Sequence, residues 1–258
     1  MYKEMTADDH RQNLDLPEDY TVDVAIGVGT WTAYAPRNLE RFERLLEEKG
    51  YESTHRHFEH LDIHEVHEFV LDDKTIWFFA VMGTAVMAPY MHYASLFGAK
   101  KLLLAGTAGG LKEGGSVGDF IIPTQTTGND NSLYYSQSDG REQYPDADLS
   151  ERLFNTHKHA LSSVFREKTV TCEMMLAESW EDIKGWSDNG YAAVEMEAAL
   201  VFAIGKYFNV PAAATLMVAD NLVEDISIFS DEHKASSDER GKRLDIQMSI
   251  LIDEALHG

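Results

Sequence analysis

Lys101-Leu102-Leu103-Leu104-Ala105-Gly106-Thr107-Ala108-Gly109-Gly110 decides how this chain is read. After its first residue the run is apolar through Ala105, the pattern of a strand buried on both faces instead of one with a wet side. It then breaks into a glycine-rich loop at the strand's carboxyl end, where α/β sheets hold their ligands. Small residues there let backbone N–H groups approach an anion or a flat ring closely. A tight turn alone would use the same residues, so the segment sets a position in a fold before it sets a chemistry.

Upstream, Val22 to Val28 is a short β-branched run ending in Gly27-Val28-Gly29, and Asn38 to Lys49 has helical spacing through Leu39, Phe42, Leu45 and Leu46. Phe69–Leu71 and Ile76–Val81 flank the turn Asp72-Asp73-Lys74-Thr75 and predict a hairpin, and Ala88 to Phe97 reads as a helix closed by Gly98. Downstream come a strand at Phe120–Pro123, a polar loop over Thr124–Asp148 that is expected to be functional, a helix at Leu149–Val164 and a strand at Lys168–Cys172. An Ala-rich helix at Glu197–Phe208, a buried strand at Ala212–Ala219 and a helix at Asp238–Leu256 complete the chain. This alternation predicts an α/β protein: a single three-layer αβα domain, residues 21–258, around a central, largely parallel mixed sheet. Residues 1–20 show no strong period and are expected to form an N-terminal arm that packs on a neighbour.

Across 258 residues, 44 acidic side chains against 22 basic ones give a formal charge of −22. Affinity for polynucleotides or anionic membranes comes from clustered Lys and Arg, so both are poor partners. One cysteine, Cys172, excludes an internal disulfide, and the polar N-terminus lacks an apolar signal core; a cytoplasmic location is expected. No apolar run approaches the roughly 18 residues of a membrane span.

Three junctions carry candidate chemistry. Gly27-Val28-Gly29 has two glycines of the dinucleotide fingerprint, but Thr32 stands at the third position, so no nucleotide cofactor is expected. Val194-Glu195-Met196-Glu197-Ala198-Ala199 puts two acids where a short strand becomes a helix; a carboxylate there can hold adjacent sugar hydroxyls, with a methionine on the furanose face. Val218-Ala219-Asp220-Asn221-Leu222 ends another apolar strand in an acid, which would point into the same crevice. His55, His57, His60, His64 and His67 invite a metal reading, but His64 and His67 are three apart where the zinc pattern needs four, and no metal is expected. A polar face at a subunit contact accounts for them better.

From Val22 to the C-terminus, the glycine loop with Val117-Gly118-Asp119, the Glu195–Ala198 segment and the Asp220 segment, in that order, resemble the nucleoside phosphorylase superfamily. That superfamily includes hexameric purine nucleoside phosphorylases, uridine phosphorylases and methylthioadenosine/S-adenosylhomocysteine nucleosidases. The resemblance implies cleavage of a nucleoside's N-glycosidic bond, with Asp220 as general acid to a purine N7. It implies that Glu197, Met196 and Glu195 bind ribose, and that Ala108, Gly109, Met175, Val194 and Asn221 surround the base. Gly29, Arg37 and Thr107 would hold phosphate, the co-substrate, with no cofactor needed. A homo-oligomer, dimer or hexamer, is implied too.

The sequence departs from that pattern at the nucleophile. Phosphorylases carry an arginine two residues before the first glycine of the strand-end loop, where this chain has Leu104; a second family arginine, given by the neighbouring subunit, falls near His64. Arg37 could stand in for the arginine of the first loop. The nucleosidases activate water with a glutamate in that loop, and Gly27 to Pro36 contains no acid. Phosphorolysis, hydrolysis and silent nucleoside binding therefore all stay open. Met174 to Trp180 lacks the Gln and Arg with which uridine phosphorylases read uracil, which favours a purine, with Met174 or Met175 in place of the usual stacking aromatic.

Overall fold

The computed structural model describes residues 4–60, 62–128, 130–135 and 141–258. Among them run strands β1 (Val24–Gly29), β2 (Thr54–His57), β3 (His67–Leu71), β4 (Lys74–Val81), β5 (Lys101–Gly110), β6 (Phe120–Thr127), β7 (Glu142–Gln143), β8 (Val164–Thr171), β9 (Ala193–Glu195) and β10 (Ala212–Asn221). The helices are α1 (Ala7–Asn13), α2 (Ala35–Glu48), α3 (Thr84–Leu96), α4 (Asp130–Leu133), α5 (Ala147–Ala160), α6 (Trp180–Asp188), α7 (Ala198–Phe208), α8 (Asp231–Ala235) and α9 (Ser237–His257). The α/β class expected from the alternation is what the chain adopts.

Strand periodicity divides the core. Ala25, Trp77, Phe79, Leu102 and Leu104 pack with Met87 and Met91 of α3 and Val201 and Phe202 of α7. Their strand neighbours Val24, Ile26, Ile76, Phe78 and Leu103 turn the other way, onto Phe42 and Leu46 of α2 and Leu251 and Ile252 of α9. Successive side chains of a strand point to opposite faces, so strands apolar at every position feed both cores. Phe42 stacks on Phe78 with ring centroids 4.6 Å apart.

The sheet is mixed and partly closed. β2, β3, β4 and β1 lead to β5 in order, with β1 parallel to both β4 and β5. From there β5 pairs with β10, β10 with β6, β6 with β8, β8 with β9, and β9 returns to β5. Five strands thus form a ring, a closure that alternation of strands and helices does not encode. The closing pairs put Gly109 opposite Val194 on β9 and, on its other side, opposite Asp220 on β10. A register shift between Val218 and Asp220 marks a bulge there, the kind of irregularity that re-aims a side chain at a strand's end.

Several boundaries differ from the sequence reading. α2 begins at Ala35 with Pro36 in its first turn, because proline's fixed φ suits that position. β6 runs past Pro123 to Thr127, with a register shift between Pro123 and Gln125; a bulge is where a strand tolerates proline. The Thr124–Asp148 loop is thereby shortened by β6, α4 and β7, and its residues 129 and 136–140 lie outside the described ones. α5 stops at Ala160, and β8 starts at Val164 on polar residues that β6 pairs in parallel.

The expected hairpin is present between β3 and β4, with Asp72 and Asp73 both at positive φ, which aspartate tolerates in tight hairpin turns. The N-terminal arm contains a helix: Thr6 and Asp9 form a reciprocal capping box at the start of α1. It lies on its own chain, with Leu14 buried in the α3–α7 core and Arg11 Nε donating to the Tyr20 carbonyl at 2.9 Å.

Candidate active site

The carboxyl ends of β1, β5 and β10 meet the β9–α7 junction around a cavity of about 100 Å³. Gly29 and Trp31 line it from the end of β1, Thr107, Ala108 and Gly109 from β5, and Asp220 from β10. Val194, Glu195, Met196 and Glu197 close it from β9, with Cys172, Met175 and Glu178 from the segment after β8. Its walls at Gly29, Thr30, Trp31, Thr107, Ala219 and Ile228 are shared with a larger cavity of about 620 Å³.

Glu197 is 4% exposed. Its Oε1 accepts the Gly83 amide at 2.6 Å, and its Oε2 lies over Gly29, where a Cβ would stand only 2.3 Å away. Burial, joined by the charge of Glu195, pushes its carboxyl upward from the usual range. Glu195, expected to bind ribose, is committed inside the protein. Its Oε2 accepts the amides of Glu197 at 2.8 Å and Ala198 at 2.7 Å, and Thr171 Oγ1 donates to Oε1. Those amides belong to the start of α7, which cannot satisfy them itself. Glu195 therefore positions Glu197, with both its oxygens engaged inside the protein.

Asp220 is 7% exposed. Burial raises its carboxyl to about 6; the Ile228 backbone amide opposes the shift and the charge of Glu178 adds to it. An acid near 6 still holds a proton in part of the population near neutrality and can donate it. Gly109 makes room for it, since a Cβ there would meet Leu222 at 2.7 Å and Asp220 Oδ1 at 3.3 Å.

Asn221 does not join the base pocket as expected. Strand alternation turns it away from Asp220, and its buried amide donates to the carbonyls of Lys112 at 3.0 Å and Gly115 at 2.8 Å. Met175 lines the cavity, whereas Met174 is 63% exposed and does not. Arg37 lines the larger cavity beside Gly29 and Thr107, with its guanidinium 5.5 Å from the Tyr34 ring and no ion pair among the described residues. Leu104 is fully buried in the α3–α7 core.

The larger cavity also holds residues that sequence reasoning missed. Arg41, Arg240 and His233 line it, and no carboxylate does among the described residues. Arg240 donates to the His233 carbonyl and Ser236 Oγ, and burial lowers its pKa. The His233 ring meets the Ala219 carbonyl at 2.8 Å through Nδ1. The basic run Arg240-Gly241-Lys242-Arg243 in so acidic a chain was the available signal. Cys172 Sγ donates to Glu178 Oε1 at 3.1 Å, and burial pushes that thiol up.

Of the five histidines between 55 and 67, His55 and His57 lie on β2, His67 on β3, and His60 and His64 in the connection between these strands. His55 stacks on Phe69 at 4.4 Å and His57 on His67 at 4.7 Å, and none of them lines either cavity.

The sequence profile of the phosphorylase superfamily matches residues 34–254, and the chain belongs to that superfamily. It is accordingly an enzyme of the pentosyltransferase type, in a superfamily of phosphorylases and nucleosidases. A DeoD-type purine nucleoside phosphorylase of Clostridium beijerinckii is 30% identical over 182 residues, covering 67% of this chain and 73% of that one. One from an Exiguobacterium species is 28% identical over 161 residues, covering 61% and 68%. Among solved structures, a Toxoplasma gondii purine nucleoside phosphorylase in complex with immucillin-H superposes with TM-score 0.70 at 16% identity, over 91% of this chain and 92% of that one. A Helicobacter pylori futalosine hydrolase mutant gives 0.65 at 17%, over 91% and 100%.

Proposed function

We propose that the enzyme cleaves the N-glycosidic bond of a purine nucleoside and transfers the ribosyl group to inorganic phosphate, releasing free base and ribose 1-phosphate. The observation that carries this reading is the placement of buried Glu197 and Asp220 in one cavity, Asp220 opposite Gly109 on the neighbouring strand and Glu197 over Gly29. The C1′–N9 bond breaks with its electrons leaving on the base, and Asp220 protonates N7 to neutralise them. Glu197 holds the ribose hydroxyls and steadies the oxocarbenium-like sugar, with Met196 on the furanose face. Ala108, Gly109, Met175 and Val194 flank the base.

Phosphate is taken by Gly29, Thr107 and Arg37, and a phosphate oxygen attacks C1′. An arginine with no carboxylate partner among the described residues, beside backbone amides, suits an oxyanion, since charge-assisted hydrogen bonds are the stronger kind. No organic cofactor is needed. A homo-oligomer in the cytoplasm, working in nucleoside salvage, fits the same reading. No helix among the described residues is long and apolar enough to cross a membrane, and all four residues of the outer strand β2 are exposed.

Leu104, buried and apolar where phosphorylases carry a cation, favours a second reading, hydrolysis to free ribose. The test is a panel of nucleosides incubated with and without phosphate, with both products identified. Purine release that depends on phosphate and yields ribose 1-phosphate supports phosphorolysis; phosphate-indifferent release of ribose selects the hydrolase.

A further inference from the structure

Gly109 and Asp220 line the smaller cavity, whereas their strand successors Gly110 and Asn221, which pair with one another across β5 and β10, line a separate cavity of about 240 Å³. This third cavity shares no lining residue with the other two. We propose that it is a second binding site whose ligand is a primary alkylammonium, a protonated amine held by Asn221 and Asp119 with its hydrocarbon part against Ile121, Phe165 and Val218. The site lies outside the glycosidic chemistry and does not depend on it.

Asn221 supplies the observation that points to a ligand. It is wholly buried, and its side-chain nitrogen donates to the carbonyls of Lys112 at 3.0 Å and Gly115 at 2.8 Å. Two carbonyl partners engage both amide hydrogens and settle which end of the side chain is nitrogen. Its Oδ1 is then a buried acceptor with no donor among the described residues, a state that stays costly until a donor reaches it. Asp119 stands on the same cavity. Its Oδ2 accepts the Ser116 amide at 2.9 Å, and no cation is paired with this carboxylate among the described residues.

Charge and wall composition choose the class of ligand. Glu113, Asp119 and Glu167 line the cavity against a single cation, Lys112, whose Nζ is already paired with Glu167. Such a balance repels anions. A metal ion is poorly served, because hard cations need several oxygens at once and no group of three His, Cys, Asp or Glu side chains among the described residues could hold one. The other walls are largely apolar, from Ile121, Phe165, Ala192 and Val218. Phe165 is 45% exposed, so an alkyl chain laid on it removes apolar surface from water, and its ring face attracts a nearby cation. An alkylammonium meets both demands, since its head brings three N–H donors with a positive charge. The cavity is several times the roughly 30 Å³ share of one water, enough for a short chain as well as its head.

The experiment is calorimetric titration of the wild-type enzyme with n-butylammonium chloride, with n-butanol and potassium chloride as controls. Butylammonium is expected to bind saturably with a Kd of about 1 mM or below, and neither control to bind at about ten times that concentration. Phe165→Ala, at an exposed position where little packing is lost, should weaken binding about threefold. Asp119→Asn and Glu167→Gln together in one chain should weaken it about tenfold. Glu197→Gln, which removes a carboxylate from the substrate cavity, should leave it unchanged. No saturable binding to the wild type overturns the proposal, and so does equal binding of n-butanol or potassium. Affinity that neither variant of this cavity changes, or that Glu197→Gln abolishes, places the amine elsewhere and overturns it too.

Discussion

The side chain of Glu197 lies against the α-carbon of Gly29, so closely that a Cβ on residue 29 would stand 2.3 Å from Glu197 Oε2. Gly29 ends β1 and Glu197 precedes α7, far apart in sequence, and the Gly83 amide holds the other carboxylate oxygen at 2.6 Å. The glycine at position 29 is thus required by a carboxylate and not by backbone conformation, since its φ is not among the positive ones.

Gly29→Ala is therefore expected to displace Glu197 and lower kcat/KM by about 10²-fold, the cost of roughly an ångström of misplacement at a reacting centre. Overpacking should cost about 1–3 kcal/mol of stability, seen as a lower denaturant midpoint. Full activity in this variant would show that Glu197 tolerates another position.

Glu197→Gln should lower kcat and weaken riboside recognition together, because one carboxylate acts on the hydroxyls and on the cationic transition state. Steady-state kinetics on ribosides check it. Unchanged parameters would reduce Glu197 to a residue that merely starts α7.

Asp220→Asn should slow purine release by about 10²–10⁴-fold, because an amide has no proton to give the leaving base. With the Asp220 carboxyl near 6, wild-type kcat/KM should be level below about pH 6 and decline above it. Stability carries the matching sign. The folded-state pKa is raised above 3.8, so the group's stabilising contribution is complete below 3.8 and is lost as pH rises through 6. The Asn variant should then be the more stable protein at pH 8, by about 2–3 kcal/mol at most, and hold no such advantage at pH 4. Thermal melts at the two pH values decide this.

Arg37→Ala should raise the KM for phosphate strongly and leave nucleoside binding nearly unchanged, since Arg37 lines the larger cavity and not the smaller one. Initial rates at varied phosphate give the answer. Free ribose produced at saturating phosphate by the wild type would assign Arg37 another purpose.

Assembly is expected through the β2–β3 face that carries His55, His57 and His67. An edge strand with every residue exposed is a surface that proteins seldom leave uncovered. Sedimentation at micromolar concentration should find a dimer or hexamer; a fully active monomer would sink this expectation.

Local chemistry made much of this enzyme readable from its chain. Strands apolar at every position announced a sheet covered on both faces, Asp72-Asp73 announced the hairpin, and glycines and acids at strand ends announced where ligands would go. Asp220 could be picked out because an acid at the end of a buried strand is costly unless it is used or paired, and Glu197 because it stands in an acidic strand-to-helix junction that resembles the superfamily's. Ring closure could not be read, because pairing between β9 and β5 is a matter of register between segments far apart in sequence. That register alone sets Gly109 between Val194 and Asp220. Nor could the sequence separate Glu195 from Glu197, two residues apart with like charge: only the fold turns one onto the amides of α7 and the other over Gly29. Asn221 was misjudged for the same reason, since one step along a strand reverses the face a side chain presents.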